Sequence, residues 1–387
     1  AHLIDIGDGQ TIRQENVFQN HILYSANLKE FDTENTIRTL SKAFSLLRKV
    51  KGPIHINAPF NEPLYETVAA MNDFQFMVEK SASEDTIDYE NLAFQWNSAK
   101  KKMILVGVHS PNAALEILLD KVADDPSVLV FTETTSNLYN KRFVNSIDNL
   151  IFNLTEEEFT SLQPDILLTF GGMIVSKKIK KFLRDYSPKE HWHVNELRAF
   201  DTYQVLSKHL KIDSHSFFKH FCELVDYDNK STYESTWTHY KQRIREKHNH
   251  YIKTAPYSDL KVFEQVLKVI PDFSEVQFSN SAIIRYSQLF EMNSTITVFC
   301  NRGTSGIDGS TSTALGAAYA TQKPTTLITG DLSFFYDSNA LWNNYIPTDV
   351  RIVIINNSGG GIFKIIPGPK KSTALKYFET PHCLTAE

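Results

Sequence analysis

Apolar positions along the chain switch between two periods, and the switching predicts strands alternating with helices. Over Glu34–Lys49 the apolar residues Ile37, Leu40, Phe44 and Leu47 recur at helical spacing, and strand-like runs flank them at His2–Ile6 and Pro53–Ala58. Pro59-Phe60-Asn61-Glu62-Pro63 then reads as an exit turn, because each proline breaks regular pairing. Short apolar runs at Lys102–Val108, Ser127–Thr132 and Ile166–Phe170 predict further strands, with helices such as Ala113–Ala123 between them. The polar, strongly charged stretch Lys230–Lys253 predicts a solvent-facing helix that leads into a last unit. There the strand candidates are Thr295–Phe299, Thr325–Thr329 and Arg351–Ile355, separated by glycine-rich turns and helices.

Strands alternating with helices imply parallel sheets, and the pattern divides the chain into three doubly wound α/β units, 1–68, 69–235 and 236–387. The chain opens at Ala1 and runs directly into Leu3-Ile4-Asp5-Ile6-Gly7. It stops soon after Pro381, where Thr385 would begin another helix. The expectation is that the first unit is present only in its C-terminal part and that the last is truncated.

Composition narrows the classes. Hydrophobic residues make up 42% and charged residues 22%, the profile of a soluble globular protein. A net charge of −5 provides no basic excess for phosphate contacts, so no nucleic-acid partner is expected. No apolar run reaches bilayer-crossing length, and the start lacks the layout of a signal peptide, so no membrane partner is expected either. Cys222, Cys300 and Cys383 are odd in number and far apart, which argues against a disulfide framework and for a reducing cytoplasm. His191/His193 and His248/His250 recur at i, i+2, a spacing that splays rings apart on a helix, and no Cys-x-x-Cys completes a zinc site. Neither a Gly-x-Ser-x-Gly elbow nor a phosphate loop ending in Gly-Lys-Ser occurs.

Two strand ends carry hard oxygen ligands. Thr325–Thr329 runs into Gly330-Asp331-Leu332-Ser333, and Arg351–Ile355 into Asn356-Asn357-Ser358-Gly359-Gly360-Gly361. Ligands of open parallel sheets sit at the carboxyl ends of strands, near the point where strand order reverses. Residues 333 to 355 suffice for one loop, one helix and one strand, a spacing that brings the Asp331 carboxylate and the Asn357 amide oxygen to adjacent strand tips. Magnesium takes six oxygens. Asp331, Asn357 and one backbone carbonyl, assigned to Gly359, supply three, and two diphosphate oxygens and a water complete the shell. The triple glycine lets backbone approach phosphates, and helix amino ends supply N–H donors. The plainer alternative is a helix cap at Asp331 and a turn at Asn356–Gly359. Two such motifs at this spacing, each directly after an apolar strand, favour the metal and diphosphate. Gly7-Asp8-Gly9 has no Asn-Asn at the matching distance and is not a metal site.

The Gly-Asp…Asn-Asn pair is the signature of thiamine-diphosphate enzymes, and over nearly its whole length the chain resembles one family among them. Gly9-Gln10-Thr11-Ile12-Arg13-Gln14, His55-Ile56-Asn57, Glu62-Pro63-Leu64-Tyr65, Asn280-Ser281 with Arg285, Asn301 through Gly309, Gly330 through Ser333, and Gly359 through Phe363 followed by Ile366-Pro367 are similar to the 2-succinyl-5-enolpyruvyl-6-hydroxy-3-cyclohexene-1-carboxylate synthases of menaquinone biosynthesis. The resemblance implies three domains of the thiamine-diphosphate type: a pyrimidine-binding domain, a central domain and a diphosphate-binding domain. It implies a transferase using thiamine diphosphate and Mg2+ (or Mn2+), which decarboxylates 2-oxoglutarate and adds the succinyl-semialdehyde carbanion to isochorismate by 1,4-addition. It also implies a cytoplasmic homodimer or homotetramer whose sites are shared between subunits.

Residue roles follow from the same likeness. Ile307 would prop the cofactor in its bent shape. Gly330, Leu332 and Ser333 would line its diphosphate, and Ile362, Phe363 and Ile366 would wall the thiazolium and substrate, with ordinary core packing as their alternative. Arg285 and Arg302, with Ser281, would anchor substrate carboxylates through the planar guanidinium fork, the alternative being surface ion pairs. Lys177 and Lys178 match a basic pair that holds acceptor or product; because Lys180 and Lys181 follow, a solvated helix face stays open. Gln10 matches a side chain that reaches the site across a subunit interface, while Gly9 replaces the family's asparagine. No position matches the glutamate that works against the aminopyrimidine, so this polypeptide alone is expected to be inactive or nearly so. The competing functions are another thiamine-diphosphate 2-oxoacid decarboxylase or carboligase, and an inactive remnant lacking the glutamate.

Overall fold

The computed structural model describes residues 3–7, 9–29, 32–60, 65, 67, 87–364 and 368–386. The chain forms two compact units, Ala1–Thr86 and Ile87–Glu387. In the first, strand β1 (Tyr24–Asn27), helix α1 (Thr33–Val50) and strand β2 (Ile54–Asn57) make a parallel pair with Tyr24 opposite Ile54 and Asn27 opposite Asn57. The Asp32 side chain caps α1 by accepting from Asn35 N–H. The strand expected over His2–Ile6 is not one: residues 3–7 form turns, Asp5 has a φ of 67°, and its carboxylate pairs with Arg13 at 2.8 Å. A local ion pair and a left-handed residue outweigh the apolar run there. The strand that does pair, β1, was hidden by its short polar sequence Tyr-Ser-Ala-Asn.

The second unit contains two parallel sheets. The first is built from α2 (Tyr89–Ser98), β3 (Lys102–Val106), α3 (Ala113–Val122), β4 (Val128–Thr132), α4 (Ile147–Ile151), α5 (Glu156–Leu162), β5 (Ile166–Phe170), α6 (Lys177–Asp185), β6 (Glu190–Val194), β7 (Leu206–Leu210) and α7 (Ser214–Phe221), in strand order β4-β3-β5-β6-β7. Every residue of β3, β4 and β5 is buried, as expected of strands covered on both faces. Alternate side chains feed two cores. Ile104, Val106 and Trp192 pack with Trp96 of α2, Leu119 of α3 and Phe217 of α7, while Met103, Leu105 and Phe131 pack with Ile151, Phe182 and Trp237.

Helix α8 (Tyr233–Thr254) leads to α9 (Asp259–Lys268) and the second sheet: β8 (Glu275–Phe278), α10 (Ala282–Ser287), β9 (Thr297–Cys300), α11 (Ser310–Thr321), β10 (Thr325–Gly330), α12 (Asp331–Tyr336), β11 (Val350–Ile355) and α13 (Leu375–Glu379), in strand order β11-β10-β8-β9. The solvent-facing reading of α8 holds only for its middle, because Tyr233, Trp237 and Ile252 near its ends are buried and the Tyr233 hydroxyl donates to Leu162 O at 2.6 Å. Strand β9 starts two residues later than expected, since Ile296 N–H closes a turn onto Asn293 O. Among the described residues no helix is long and apolar enough to cross a membrane.

Candidate active site

All pairings in the β11-β10-β8-β9 sheet are parallel, so its four carboxyl ends share one edge. Chain order passes from β8 to β9 on one side and then to β10 on the other, which places the switch point between β8 and β10. The motifs line this edge in spatial order: Asn357 after β11, Asp331 after β10, Asn280, Ser281 and Arg285 after β8, and the Arg302–Gly309 loop after β9.

The strand register sets Gly330 opposite Ile355, and the two oxygen-bearing loops therefore leave from adjacent tips. Asp331 is 3% exposed. Its Oδ2 accepts from Gly359 N–H at 2.9 Å and lies 3.1 Å from His382 Nε2, while Oδ1 accepts from Leu332 N–H at 2.7 Å. Asn357 is exposed and gives its amide nitrogen to Asp259 at 3.0 Å, which leaves the amide oxygen as the atom available to a cation. The Gly359 carbonyl accepts from Gly361 N–H at 2.9 Å and keeps one lone pair. Gly359 has a φ of 144°, and a Cβ there would stand 2.6 Å from Glu379 O, so only glycine carries this turn. Among the described residues no group of three or more His, Cys, Asp or Glu can hold a metal. One carboxylate, one amide and one carbonyl make a set that depends on ligands from outside the chain.

An anion has a place beside them. Helix α11 begins at Gly309, with a φ of 70° and no side-chain cap. Its first residues Ser310 and Thr311 are buried, and the Thr311 hydroxyl has no partner among the described residues. Ser333 Oγ donates to Ile307 O at 2.6 Å and lies 3.4 Å from Ser310 Oγ, tying the Ile307 loop to α12. Asp337 accepts from Ser312 N–H at 2.7 Å and closes the far side of the same helix start. An orphaned buried hydroxyl at a helix amino end whose N-cap is a glycine, next to a buried carboxylate, fits a diphosphate bound through a divalent ion.

Arg302 and Arg285 come together at the other half of the edge. Arg302 donates to Asn280 Oδ1 at 2.7 Å, and Asn280 in turn holds the loop by donating to Gly306 O at 3.2 Å. Ser281, with a φ of 70°, turns the chain into α10. The Nε atoms of both arginines are buried without a partner among the described residues. Burial, then the nearby Arg302 guanidinium, lowers the pKa of Arg285. Two cations with open donors in one place call for an anion.

The first sheet reaches this edge through two residues the sequence did not flag. Asn137, just past β4, pairs with β9 like a strand: its Oδ1 accepts from Val298 N–H at 2.7 Å and its Nδ2 donates to Val298 O at 2.9 Å. Glu133 at the end of β4 accepts from Val175 and Ser176 N–H at 2.6 and 2.7 Å and so fixes the loop before α6. Burial pushes its pKa up to about 7 against the pull of those two bonds. The raised value means its stabilising share is complete below the ordinary carboxylate range and disappears as pH rises through about 7. Thermal unfolding at pH 5 and pH 8 should show a smaller loss of Tm on alkalinisation for Glu133→Gln than for the native chain.

Other expected residues stand as follows. Ile307 and Leu332 are half-buried, and Ile362 and Phe363 lie in a short turn where Phe363 packs on Phe378 at 5.3 Å. Ile366 lies outside the described residues. Gln10 is exposed in the first unit. Lys177 and Lys178 are exposed at the start of α6, with Lys178 Nζ 4.2 Å from the Phe152 ring. His191 and His193 lie not on a helix but on β6, where the period of two puts both rings on the Thr169 hydroxyl at 2.8 Å; burial lowers each pKa to about 4, and they are packing groups.

Comparison with known proteins gives the family of the chain. The family model described as the middle domain of thiamine pyrophosphate matches residues 71–276. Proteins named 2-succinyl-5-enolpyruvyl-6-hydroxy-3-cyclohexene-1-carboxylate synthase are similar over 99% of this chain: one from Flavobacterium psychrophilum is 51% identical and one from Flavobacterium johnsoniae 49%, each covered over 70% of its length. One from Christiangramia forsetii is 50% identical and covered over 71%. The chain belongs to the 2-succinyl-5-enolpyruvyl-6-hydroxy-3-cyclohexene-1-carboxylate synthase family, thiamine-diphosphate-dependent enzymes of menaquinone biosynthesis.

Proposed function

We propose that the carboxyl edge of the β11-β10-β8-β9 sheet joins a fragment of 2-oxoglutarate, after loss of its carboxylate as carbon dioxide, to isochorismate, with Arg285 and Arg302 clamping substrate carboxylates. The observation that carries this reading is the pair of guanidinium Nε atoms, buried and without a partner among the described residues, one on α10 and one on the loop after β9. Both substrates are dicarboxylates, and a planar fork meets a carboxylate through two hydrogen bonds. Ser281, which sets the start of the Arg285 helix, belongs to the same clamp.

Asp331, Asn357 and the Gly359 carbonyl would hold Mg2+ (or Mn2+), and Gly330, Leu332, Ser333 and the amino end of α11 would hold the diphosphate. When bound, thiamine diphosphate supplies the carbon nucleophile and electron sink that decarboxylation of a 2-oxo acid requires. The chain's own part is positional. Ile307 supports the cofactor's shape, Ile362 and Phe363 exclude water, and the arginines keep the reacting carbons in line while the dry surroundings strengthen each charged contact. In the same proposal, 1–68 belongs to the pyrimidine-binding domain, 69–235 is the central domain and 236–387 binds diphosphate. The enzyme works in the cytoplasm as a homodimer or homotetramer, with Gln10 reaching a site across subunits. Exposed Trp342 and Tyr345, at 82% and 69%, suit burial in such an assembly.

Arg302→Met tests the clamp. Losing a charged hydrogen-bond pair of about 2–3 kcal/mol should raise the KM for 2-oxoglutarate roughly 30- to 150-fold. Binding of pyruvate, which lacks the second carboxylate, should change far less. Equal sensitivity of the two substrates would remove the carboxylate assignment.

A further inference from the structure

Helix α6 carries four lysines in five positions, Lys177, Lys178, Lys180 and Lys181, and they meet different surroundings. Lys177 and Lys178 are exposed, and Lys181 pairs with Asp185 at 2.5 Å. Lys180 is half-buried. It donates one ammonium proton to Ile174 O at 3.0 Å and forms no ion pair among the described residues. The charges acting on it are, in order, Arg302, Glu133, Arg285 and Arg184. An ammonium carries three donors, so two stay open in a place already crowded with cations. Holding such a group out of water without an anion is costly, and Glu133 is committed to the backbone of Val175 and Ser176.

We propose that Lys180 is the third cation of the site and holds a carboxylate of the ring-bearing acceptor, isochorismate. The inference rests on the carboxylate clamp proposed above. Lys180 and Arg302 share the wall of a cleft of about 490 Å3 at the carboxyl ends of β5 and β6, bounded by Gly171, Gly172 and Thr202. Arg184, whose Nε donates to Thr202 O at 2.9 Å, and Arg198, stacked on the Phe200 ring at 4.9 Å, also line it, whereas Arg285 does not. Arg302 therefore stands where two compartments meet. Two neighbouring guanidiniums span a short linear dicarboxylate, while a ring that spreads its two carboxylates apart needs a further cation on the cleft side. The cleft volume is in the range that accommodates a small ligand. A lysine on a flexible stem suits this task, because it acts as a point charge and does not impose the planar geometry of a fork.

The test compares Lys180→Met, Lys180→Arg and Lys181→Met in the enzyme, by steady-state kinetics and by equilibrium titration of isochorismate into cofactor-free protein. Lys180→Met should weaken isochorismate about tenfold or more in both measurements, with the KM for 2-oxoglutarate changed less than about twofold. Lys180→Arg should restore most of the affinity, and Lys181→Met, at the exposed lysine paired with Asp185, should leave it unchanged. An isochorismate affinity untouched by Lys180→Met, or a parallel rise in both KM values, overturns the proposal. If Lys180→Met does not fold, Lys180→Gln read by the same titration decides. Arg302→Met separates the two layers: should it leave both substrates unaffected, the clamp itself fails, whereas a loss there with Lys180→Met silent removes only the third cation.

Discussion

Asp331→Ala should weaken magnesium-dependent binding of thiamine diphosphate about 100- to 1,000-fold, the loss expected when one member of a buried, hydrogen-bonded charge pair is removed. Asp331 is the carboxylate at the β10 tip, and its Oδ2 also holds the Gly359 amide at 2.9 Å. The substitution thus takes away the formal charge proposed to face the ion and frees the backbone loop that carries the other two proposed ligands. Asp331→Asn separates these effects. It keeps a side-chain oxygen for one backbone donor but removes the charge, so it should bind nearly as poorly as the alanine variant while unfolding close to the native temperature. Titrating the cofactor with and without magnesium, followed by intrinsic fluorescence, gives the answer directly. Binding that ignores both the metal and the substitution would eliminate the ligand set.

That Asp331 and Asn357 leave from adjacent strand tips was legible because it depends on two short motifs, each directly after an apolar strand, and on β10 and β11 being neighbours. Register then does the rest, with Gly330 opposite Ile355. The strands that escaped notice, β1, β6, β7 and β8, all mix polar residues into their runs. In β8, Glu275 and Gln277 are buried at 3% and 5% exposure, so polarity along the chain misreports burial. Glu133 and Asn137 were invisible for a different reason. Each acts through partners distant in sequence, as when Asn137 binds Val298 across 161 residues, and no local pattern marks such a pairing. The carboxylate half came from likeness to a family and not from periodicity, because a lone arginine after a strand reads equally well as a surface charge.

The largest effect on stability should come from a site without chemistry, the buried pair Lys102–Asp125, where Asp125→Ala is expected to cost about 3–5 kcal/mol. Both side chains are 0% exposed, with Nζ and Oδ2 2.5 Å apart. Asp125 satisfies more than the lysine: its Oδ1 accepts from Ser127 N–H at 2.9 Å and Ser127 Oγ at 2.6 Å, and Oδ2 also accepts from Asn229 at 3.2 Å. Burial lowers the Lys102 pKa, and Asp125 opposes that shift; without the carboxylate, the lysine must either carry an unpaired charge in the core or fold deprotonated. Urea unfolding should therefore show a large drop for Asp125→Ala. Replacing both partners, Lys102→Met with Asp125→Leu, removes the uncompensated charge, although it still strands the Ser127 and Asn229 donors. The double variant should lie closer to the native protein than Asp125→Ala alone, since an apolar pair of similar volume often matches or exceeds a buried ion pair. A double variant as unstable as the single one would mean that the three hydrogen bonds to Asp125, not its charge, hold this corner of the sheet.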